Sequence, residues 1–364
     1  MQPRIIRTEL ADGRDLFYFD DPDSPLPSVR RPDRRNLENR PPSAELRADP
    51  LTGEWVSNAA HRAGRAFLPP ANACPLCPSS AEFASELPDQ FDVAVFENRS
   101  PAFGPDIRAL EVEHSAGASG VPLGSTAVAA GRCEVIVFSP EHEGSLADLG
   151  ISRIETVLLA LQHRTEELNS LPGIKQVFPF ENRGEEIGVT LHHPHGQIYG
   201  YPFVTPRTNQ LLTQVGKRGS DFYEELLAFE ASSARLLFAT DHFVAYVPFA
   251  GRWPLEAVLL PRRQVADFVE LSSDEIEELA ICTQRLLKAF DLRFETRTPY
   301  IAAWHQAPLI SERGGVRMRL HLTSPRREKN KLKFLAGSES AMGVFIGDVP
   351  AEIQAAALRE VMPA

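Results

Sequence analysis

One sequence pattern occurs twice in this chain. Residues 134–140 read EVIVFSP, and residues 256–261 read EAVLLP. Short apolar runs that end at a proline are typical of strands with a buried face. A second apolar run precedes each of them, at residues 93–96 in the first copy and at residues 243–247 in the second. The recurrence of order and spacing indicates a duplicated unit.

A helix is predicted after each of these proline-terminated strands. Ser152 and Glu155 have the spacing of a capping box, and so do Ser272 and Glu275. Apolar residues then recur at helical spacing in both copies, at Ile154, Val157, Leu158 and Leu161 and at Ile276, Leu279, Ala280 and Leu287. Each copy therefore combines strands with one amphipathic helix.

The remaining strands complete the two copies. A third strand is predicted at residues 174–180 and again at residues 300–304, followed by residues 193–197 in the first copy and 317–322 in the second. We expect an α+β fold, in which a mainly antiparallel sheet has helices packed on it. The sequence leaves open whether the halves join edge to edge or pack as a pair.

Residues 193–197 read HPHGQ. In an extended segment, His193 and His195 would point to the same side, and the glycine after them would let a ligand approach closely. The pair suits a histidine nucleophile or a metal ligand, and Gln197 can offer an amide to a phosphate oxygen. The alternative, which has equal weight, is that the two histidines are simply hydrogen-bonded or exposed and have no chemical role. In the second copy Arg319 replaces His193 and only His321 remains, so we expect chemistry in the first half and a supporting role for the second.

Cys74 and Cys77 form a C-x-x-C in a proline-rich loop. Two thiolates at that spacing can hold one Zn²⁺ from a tight turn, and His142 and His193 would complete a closed, structural Cys₂His₂ site. Two unpaired loop cysteines are the alternative. Cys133 and Cys282, in other apolar stretches, are interpreted as small core residues.

Composition narrows the class of protein. A chain of 364 residues has room for about two domains. Its net charge of −11 disfavours nucleic-acid binding, and it contains no apolar run long enough for a membrane span. The first residues lack the apolar segment of a signal peptide, and four cysteines do not make a disulfide scaffold, so we expect a cytoplasmic protein. Residues 1–44 are interpreted as an extended N-terminal arm, or as a disordered tail over residues 1–40; residues 45–212 and 213–364 would form the two repeats.

Several separate segments carry a family resemblance. They are residues 49–56 (DPLTGEWV), 61–65 (HRAGR), 74–77 (CPLC), 96–99 (FENR), 138–142 (FSPEH), 181–199 (ENRGEEIGVTLHHPHGQIY) and 333–337 (KFLAG). At these segments the chain resembles the galactose-1-phosphate uridylyltransferases, a branch of the histidine-triad superfamily. The resemblance covers the chain from about residue 45 onward.

The resemblance implies two tandem histidine-triad-like repeats and a ping-pong reaction. UMP would pass between UDP-glucose and galactose 1-phosphate, with UDP-galactose and glucose 1-phosphate as the other pair. His195 would attack the α-phosphorus and carry the uridylyl group, and Gln197 would donate to a phosphoryl oxygen. The resemblance also implies one structural Zn²⁺ per subunit and a homodimer whose active sites borrow residues across the interface.

The family also implies binding residues. Those for the nucleotide and its phosphates would be Arg62, Arg65, Asn98, Asn182, Gly188 and Thr190; those for the sugar would be Lys333, Phe334 and Glu339. Some members bind a second metal in the second half. Because Arg319 and Leu211 fall where ligands would stand, we expect that site to be missing, with His305 and His321 in the core or hydrogen-bonded on the sugar side.

Other departures from the family's sequence pattern concern the choice of the acceptor sugar phosphate. Arg99 stands where better-known bacterial members have an acidic residue, Ser338 where an aromatic precedes the matched glutamate, and Phe345 near a glutamine position. A nucleoside-diphosphate-sugar phosphorylase or adenylyltransferase of the same superfamily is the alternative enzyme; it would resolve the same intermediate with inorganic phosphate. A non-catalytic nucleotide- or zinc-binding protein is the alternative outside enzymes.

Overall fold

An eleven-stranded sheet runs through both halves of the chain. The computed structural model describes residues 2–64, 68–116, 120 and 122–363. The strands are β1 (Arg4–Glu9), β2 (Asp15–Asp20), β3 (Glu45–Ala48), β4 (Trp55–Asn58), β5 (Val93–Glu97), β6 (Glu113–Ala116), β7 (Pro122–Val128), β8 (Arg132–Val137), β9 (Gln176–Arg183), β10 (His195–Tyr201), β11 (Leu236–Ala239), β12 (Phe243–Tyr246), β13 (Leu255–Pro261), β14 (Tyr300–His305), β15 (Arg319–Ser324), β16 (Arg326–Glu328) and β17 (Lys331–Leu332). The helices are α1 (Ile151–Ser170), α2 (Pro206–Arg218), α3 (Phe222–Ala231), α4 (Ser273–Leu292), α5 (Gly337–Met342) and α6 (Ala351–Val361).

The order of the strands answers how the halves join. It is β1-β2-β5-β8-β10-β9-β14-β15-β13-β12-β11, so the order in the second half mirrors that in the first. The halves meet edge to edge, because β9 pairs antiparallel with β14 from Tyr300 opposite Arg183 to Ala303 opposite Phe180. All pairings in this sheet are antiparallel, and the α+β expectation is confirmed.

Register shows which residues of the halves are equivalent. His195 in β10 lies opposite Val137 in β8, and His321 in β15 lies opposite Val258 in β13. Both valines stand three residues before a proline in the sequence. The two histidines therefore occupy equivalent positions in the two halves of the chain.

The main core lies between the sheet and two helices. Helices α1 and α4 pack on each other and on one face of the sheet. Leu158 and Leu279 from the helices meet Ile136 and Leu322 from the strands, all nearly or fully buried. Burial of a leucine or isoleucine side chain contributes roughly 1.5–3 kcal/mol. Because the helices cover one face of the sheet, His195 and Gln197 lie on the opposite face. They alternate along β10 with the buried residues Gly196 and Ile198.

The two predicted helix starts differ in outcome. At α4 the Ser272 hydroxyl accepts from the Glu275 amide, and the Glu275 carboxylate accepts from the Ser272 amide, so this capping box is confirmed. At α1 the prediction was wrong. That helix begins at Ile151 after an extended Gly150, so Ser152 lies inside the first turn and makes no capping hydrogen bond.

The N-terminal segment is partly paired. Strands β1 and β2 form a hairpin, and β2 adds to β5 at the edge of the large sheet. Arg14 in the hairpin is fully buried and donates to the backbone oxygen of Glu97 at 2.8 Å. Strands β3, β4, β6 and β7 form a separate four-stranded sheet. Within the described residues, no helix combines the length and apolar character needed to cross a bilayer.

Candidate active site and metal centre

His195 is the first residue of β10, and its ring is oriented by the chain itself. The Nδ1 atom lies 2.8 Å from the backbone oxygen of His193. Because a carbonyl oxygen only accepts, Nδ1 must carry the hydrogen, and the lone pair is left on Nε2. Burial lowers the pKa of the His195 imidazole, against the smaller opposing effect of that hydrogen bond. The result is a neutral ring whose Nε2 can act as a nucleophile.

The strand does not extend to His193. Since β10 begins at His195, the alternation of side chains along a strand does not fix where His193 points. The His193 ring is completely buried against Cys74 and Cys77, whereas His195 is partly exposed. The alignment of the two rings therefore stays a prediction, and each ring has its own partners.

Gly196 has a different role from the one expected. A Cβ atom at this position would lie 2.9 Å from the backbone oxygen of Phe180 and 3.1 Å from side-chain atoms of Ile136 and Phe138. The close approach that this glycine permits is therefore to the neighbouring strand and the core. A side chain here would displace the segment that holds His195.

Gln197 follows on the same face of β10. The Tyr199 hydroxyl donates to its Oε1 at 3.2 Å. This contact directs the oxygen toward Tyr199 and leaves the amide hydrogens to donate elsewhere. Gln197 can thus supply a neutral donor two residues from His195.

Four metal-binding side chains converge beside this segment. The ligand atoms of Cys74, Cys77, His142 and His193 all lie within 4.8 Å of one another. Nδ1 of His193 is 3.8 Å from the sulfur of Cys74 and 3.4 Å from that of Cys77, and Nδ1 of His142 is 3.5 Å from the sulfur of Cys77. Tetrahedral coordination by thiolate and imidazole places such atoms about 3.5 Å apart. The cluster therefore has the size of a four-coordinate metal centre.

The surroundings of the cluster also fit a cation. The Nε2 hydrogen of His193 is donated to the backbone oxygen of Ser139 at 2.8 Å, which leaves Nδ1 to face the cysteines. Burial lowers the pKa of His193 to about 4, so the ring is neutral. Burial and the adjacent Cys74 raise the pKa of Cys77 to about 12. A thiolate there needs a compensating positive charge, and a metal ion would supply it.

A cleft of about 640 Å³ opens beside His195. Among the predicted site residues, His193, His195 and Asn182 line it. Gly188 and Thr190 belong to the loop that borders it, since their neighbours Val189 and Leu191 are lining residues. Arg297 and Pro299 complete the wall, so the second half of the chain contributes to the cleft of the first.

Two other predicted residues form a separate group. Arg62 donates from Nη1 to the backbone oxygen of Ser100 at 3.4 Å, and the Asn98 side chain accepts from the Ser100 amide at 2.9 Å. Neither residue lines the cleft. The register connects this group to the site, because the Asn98 amide bonds to Cys133, which lies opposite Tyr199 in β10. Arg65 lies outside the described residues.

The sequence reasoning assigned no role to a carboxylate that lines the cleft. Glu181 is only 5% exposed, and burial raises its pKa to about 7. The Tyr300 hydroxyl donates to Oε1 at 2.9 Å, while Oε2 is buried without a partner among the described residues. The signal in the sequence is that Glu181 directly follows the apolar strand predicted at residues 174–180, where a carboxylate can become buried.

Two family models together match most of this chain. The model for the N-terminal domain of galactose-1-phosphate uridyl transferase matches residues 36–205, and the model for its C-terminal domain matches residues 210–363. The chain belongs to the galactose-1-phosphate uridyl transferase family. The matched segments meet where α2 begins, and the β1–β2 hairpin precedes both of them.

Curated members of this family are similar over most of the chain. The galactose-1-phosphate uridylyltransferase of Streptomyces lividans is 40% identical over 309 residues, covering 83% of this chain and 80% of the relative. That of Thermotoga maritima is 33% identical over 326 residues, covering 87% and 98%. A solved uridylyltransferase structure is 30% identical, with a TM-score of 0.77 over 87% of this chain and 98% of that one.

The residues matched to the family's sugar loop lie away from the cleft. Lys333 is buried, and its ammonium group contacts the backbone oxygens of Arg252 and Ile346 and lies 3.5 Å from Glu339. Glu339 also accepts from the Ala336 amide at the start of α5. Phe334, between them in sequence, is 74% exposed. Within one subunit, therefore, this loop and His195 do not share a cleft.

Proposed function

We propose that this protein transfers UMP between UDP-glucose and galactose 1-phosphate through a covalent uridylyl group on His195. The observation that carries the proposal is the hydrogen bond from Nδ1 of His195 to the backbone oxygen of His193. It fixes the tautomer, so the reactive lone pair is on Nε2 before the substrate arrives. Membership of the uridyl transferase family supplies the reaction.

The first half-reaction replaces one phosphorus–oxygen bond by a phosphorus–nitrogen bond. Nε2 of His195 attacks the α-phosphorus of UDP-glucose, and the bond to the bridging oxygen breaks. Glucose 1-phosphate leaves with the bonding electrons. In the second half-reaction, a phosphate oxygen of galactose 1-phosphate attacks the same phosphorus and the imidazole leaves, which yields UDP-galactose and restores neutral His195.

Gln197 is proposed to assist by donating its amide hydrogens to a non-bridging α-phosphate oxygen. Negative charge on those oxygens is redistributed during transfer, and an oriented donor stabilises it without reorganisation. The Tyr199 hydroxyl supports this role, because it donates to Oε1 and leaves the amide hydrogens of Gln197 to donate elsewhere. Asn182 in the cleft wall, Gly188 and Thr190 in the bordering loop, and Arg62 and Asn98 in the neighbouring group are proposed nucleotide contacts. Arg65 is proposed with them on the family match alone.

We also propose that the Cys₂His₂ cluster holds one Zn²⁺. Two sulfur and two nitrogen donors at tetrahedral spacing suit zinc, and four protein ligands leave no open position for a substrate. The ion would supply folding free energy. His193 links it to the reaction, since its ring binds the cluster while its backbone oxygen orients His195.

A homodimer follows as a proposal from the sugar loop. Phe334 is exposed and Lys333 and Glu339 hold the loop in shape, yet none of them lines the cleft. A second copy could bring Phe334 and its neighbours to the His195 cleft. Sedimentation of the protein at several concentrations tests this; a monomer that turns over at the full rate would rule it out.

The decisive experiment is to trap the intermediate. The protein is incubated with UDP-glucose alone, and intact mass and released glucose 1-phosphate are measured. We expect a gain of one uridylyl group at His195, reversed by galactose 1-phosphate. His192→Ala, which removes an exposed neighbouring histidine, should label normally. An adenylyl adduct from ADP-glucose and none from UDP-glucose would instead assign the phosphorylase reaction, and no adduct from either would leave a binding protein.

A further inference from the structure

A second cleft, of about 480 Å³, lies in the C-terminal half on the face of the sheet that carries His321. Arg207, Arg252 and Arg319 line it, and we call it the arginine pocket. It is separate from the His195 cleft. Gln197 and His321 lie in one row across the sheet with β9 and β14 between their strands, which places their backbones about 14 Å apart.

The acidic residue of the pocket is already fully engaged. Oε1 of Glu256 contacts Nε2 of His321 at 2.6 Å. Its Oε2 accepts from the backbone amides of Arg252 at 2.6 Å and Trp253 at 3.0 Å. Both oxygens therefore have partners other than a guanidinium. Glu256 offsets one positive charge, and the pocket keeps an excess.

The guanidinium groups of the pocket have no ionic partner within the described part of the chain. Salt bridges elsewhere use many arginines, but Arg207 and Arg319 form none and make no side-chain hydrogen bond. Arg252 lies over the ring of Phe345 at 5.3 Å, a contact that leaves its hydrogens available. Burial, and after it the charges of Arg252 and Arg319, lower the pKa of Arg207. The three groups are thus close enough to repel one another.

The charges of the pocket also affect the pKa of the neighbouring His305. Burial, followed by the charges of Arg319, His321 and Arg207, lowers the pKa of His305 well below its usual range. His305 is therefore neutral and adds no charge of its own. Unlike the imidazoles and thiols of the metal centre, guanidinium groups have no lone pair to give a cation. The chemistry of the pocket selects an anion.

We propose that the arginine pocket binds a small phosphate-type oxyanion. A tetrahedral phosphoryl group can accept paired hydrogen bonds from several guanidinium groups, a geometry that arginine forms better than lysine. Gln210 and Gln214, on the same side of α2, add amide donors, and Ala250 and Val258 add apolar wall. Binding would relieve the repulsion among the three arginines. The ligand is inorganic phosphate or the phosphoryl group of a small metabolite, and the proposal does not depend on His195 acting as the nucleophile.

The test measures binding of inorganic phosphate to the full-length protein by calorimetry. Arg319→Gln and Arg207→Gln should each weaken one phosphate site by tenfold or more. Arg218→Gln removes a charge from the exposed far end of the same helix and should leave that site unchanged. His195→Gly should also retain it. If both pocket variants bind like the wild type while His195→Gly loses the site, the proposal is overturned.

A second measurement locates the ligand and protects against misfolded variants. Crystals of the full-length protein soaked in tungstate should show anomalous density among the three arginines; density confined to the His195 cleft would contradict the proposal. Without phosphate, Arg319→Gln should unfold at a temperature no lower than the wild type, because a repulsion has been removed. Comparing glucose 1-phosphate with inorganic phosphate at the site that Arg319→Gln weakens identifies the source: tighter binding of the sugar phosphate at that site indicates a metabolite, and equal binding indicates phosphate itself.

Discussion

His195 in β10 and His321 in β15 occupy equivalent places in the two halves, but the nitrogens of their rings are used in opposite ways. At β10, Nδ1 of His195 is tied to a backbone oxygen and Nε2 is kept for reaction. At β15, Nε2 of His321 is tied to Glu256 at 2.6 Å. The nitrogen that is proposed to react in one half is therefore blocked in the other. Equivalent histidines on duplicated strands are distinguished by which ring nitrogen their neighbours occupy.

The same contrast extends to the residues around each histidine. In the first half, His142 and His193 turn lone pairs toward two cysteines. At the matching places of the second half, two residues beyond the proline and two before the histidine, stand Arg263 and Arg319. Arg263 is paired with Glu275, and Arg319 lines the arginine pocket. One half offers lone pairs that suit a cation, and the other presents guanidinium groups whose hydrogens suit an anion.

The largest effect is expected from His195→Gly. Removing the nucleophile should lower transfer by about 10⁴-fold or more, because the two half-reactions then have no covalent route. The fold should persist, since glycine leaves only a partly exposed ring missing. Turnover of UDP-glucose with galactose 1-phosphate measures the loss. His242→Ala, in the second half, should keep wild-type turnover. Normal activity in His195→Gly would contradict the assignment of the reaction to the first half.

Loss of a metal ligand should come next. Cys74→Ser is expected to lose zinc and to lower the free energy of unfolding by several kcal/mol, since a structural metal contributes folding free energy directly. Metal content per chain and the urea midpoint check both. Cys282→Ala, a buried cysteine on α4, should keep its zinc. Full zinc occupancy in Cys74→Ser would rule out the proposed ligand set.

Glu181 accepts a hydrogen bond from the hydroxyl of Tyr300, a residue of the other half. Its titration should make the free energy of unfolding depend on pH. Burial raises its pKa from 4.5 to about 7, so the folded state binds this proton more tightly than the unfolded chain does. Between these values unfolding releases a proton, and stability falls as pH rises. Glu181→Gln should remove this slope and be more stable by on the order of 1–3 kcal/mol at pH 8, with little difference near pH 4.5. Urea midpoints over that range test it; a constant difference would refute the assignment.

The smallest effect separates the two helix starts. Ser272→Ala removes a confirmed cap and should cost about 1 kcal/mol of unfolding free energy. Ser152→Ala touches no cap and should be neutral within about 0.5 kcal/mol, because that serine lies inside α1. Thermal unfolding of the two variants side by side gives the comparison. Equal losses would mean that α1 is capped after all.

The elements of the repeat could be predicted from sequence because they are local. Apolar runs located β5, β8, β12, β13 and β14 to within a residue or two, and apolar spacing located α1 and α4. The start of α1 could not be predicted, since Ser-x-x-Glu occurs there inside a helix whose backbone already turns at Ile151. The pairing of β9 with β14 joins residues more than a hundred positions apart, and no local pattern specifies it.

The site was predictable to the extent that residue type decides chemistry. The lone pairs of cysteine and histidine side chains were enough to group Cys74, Cys77, His142 and His193, and the structure brings these four residues together. The role of Gly196 was not predictable, because it depends on the carbonyl of Phe180 in another strand. The hairpin of β1 and β2 was also interpreted as part of an extended arm or a disordered tail. The pairing of β2 with β5, some 75 residues further along the chain, is long-range, and no local pattern specifies it.

The shared edge between β9 and β14 has a consequence for how the molecule comes apart. Hydrogen bonds of one ladder cross the boundary between the repeats, and Arg183 of the first half binds Asp291 and lies 4.2 Å from the Tyr300 ring of the second. Neither repeat can unfold without leaving the edge strand of the other repeat unpaired and exposed. Denaturation should therefore be a single cooperative transition, and either repeat made alone should aggregate through that edge. The two repeats are therefore expected to behave as one folding unit.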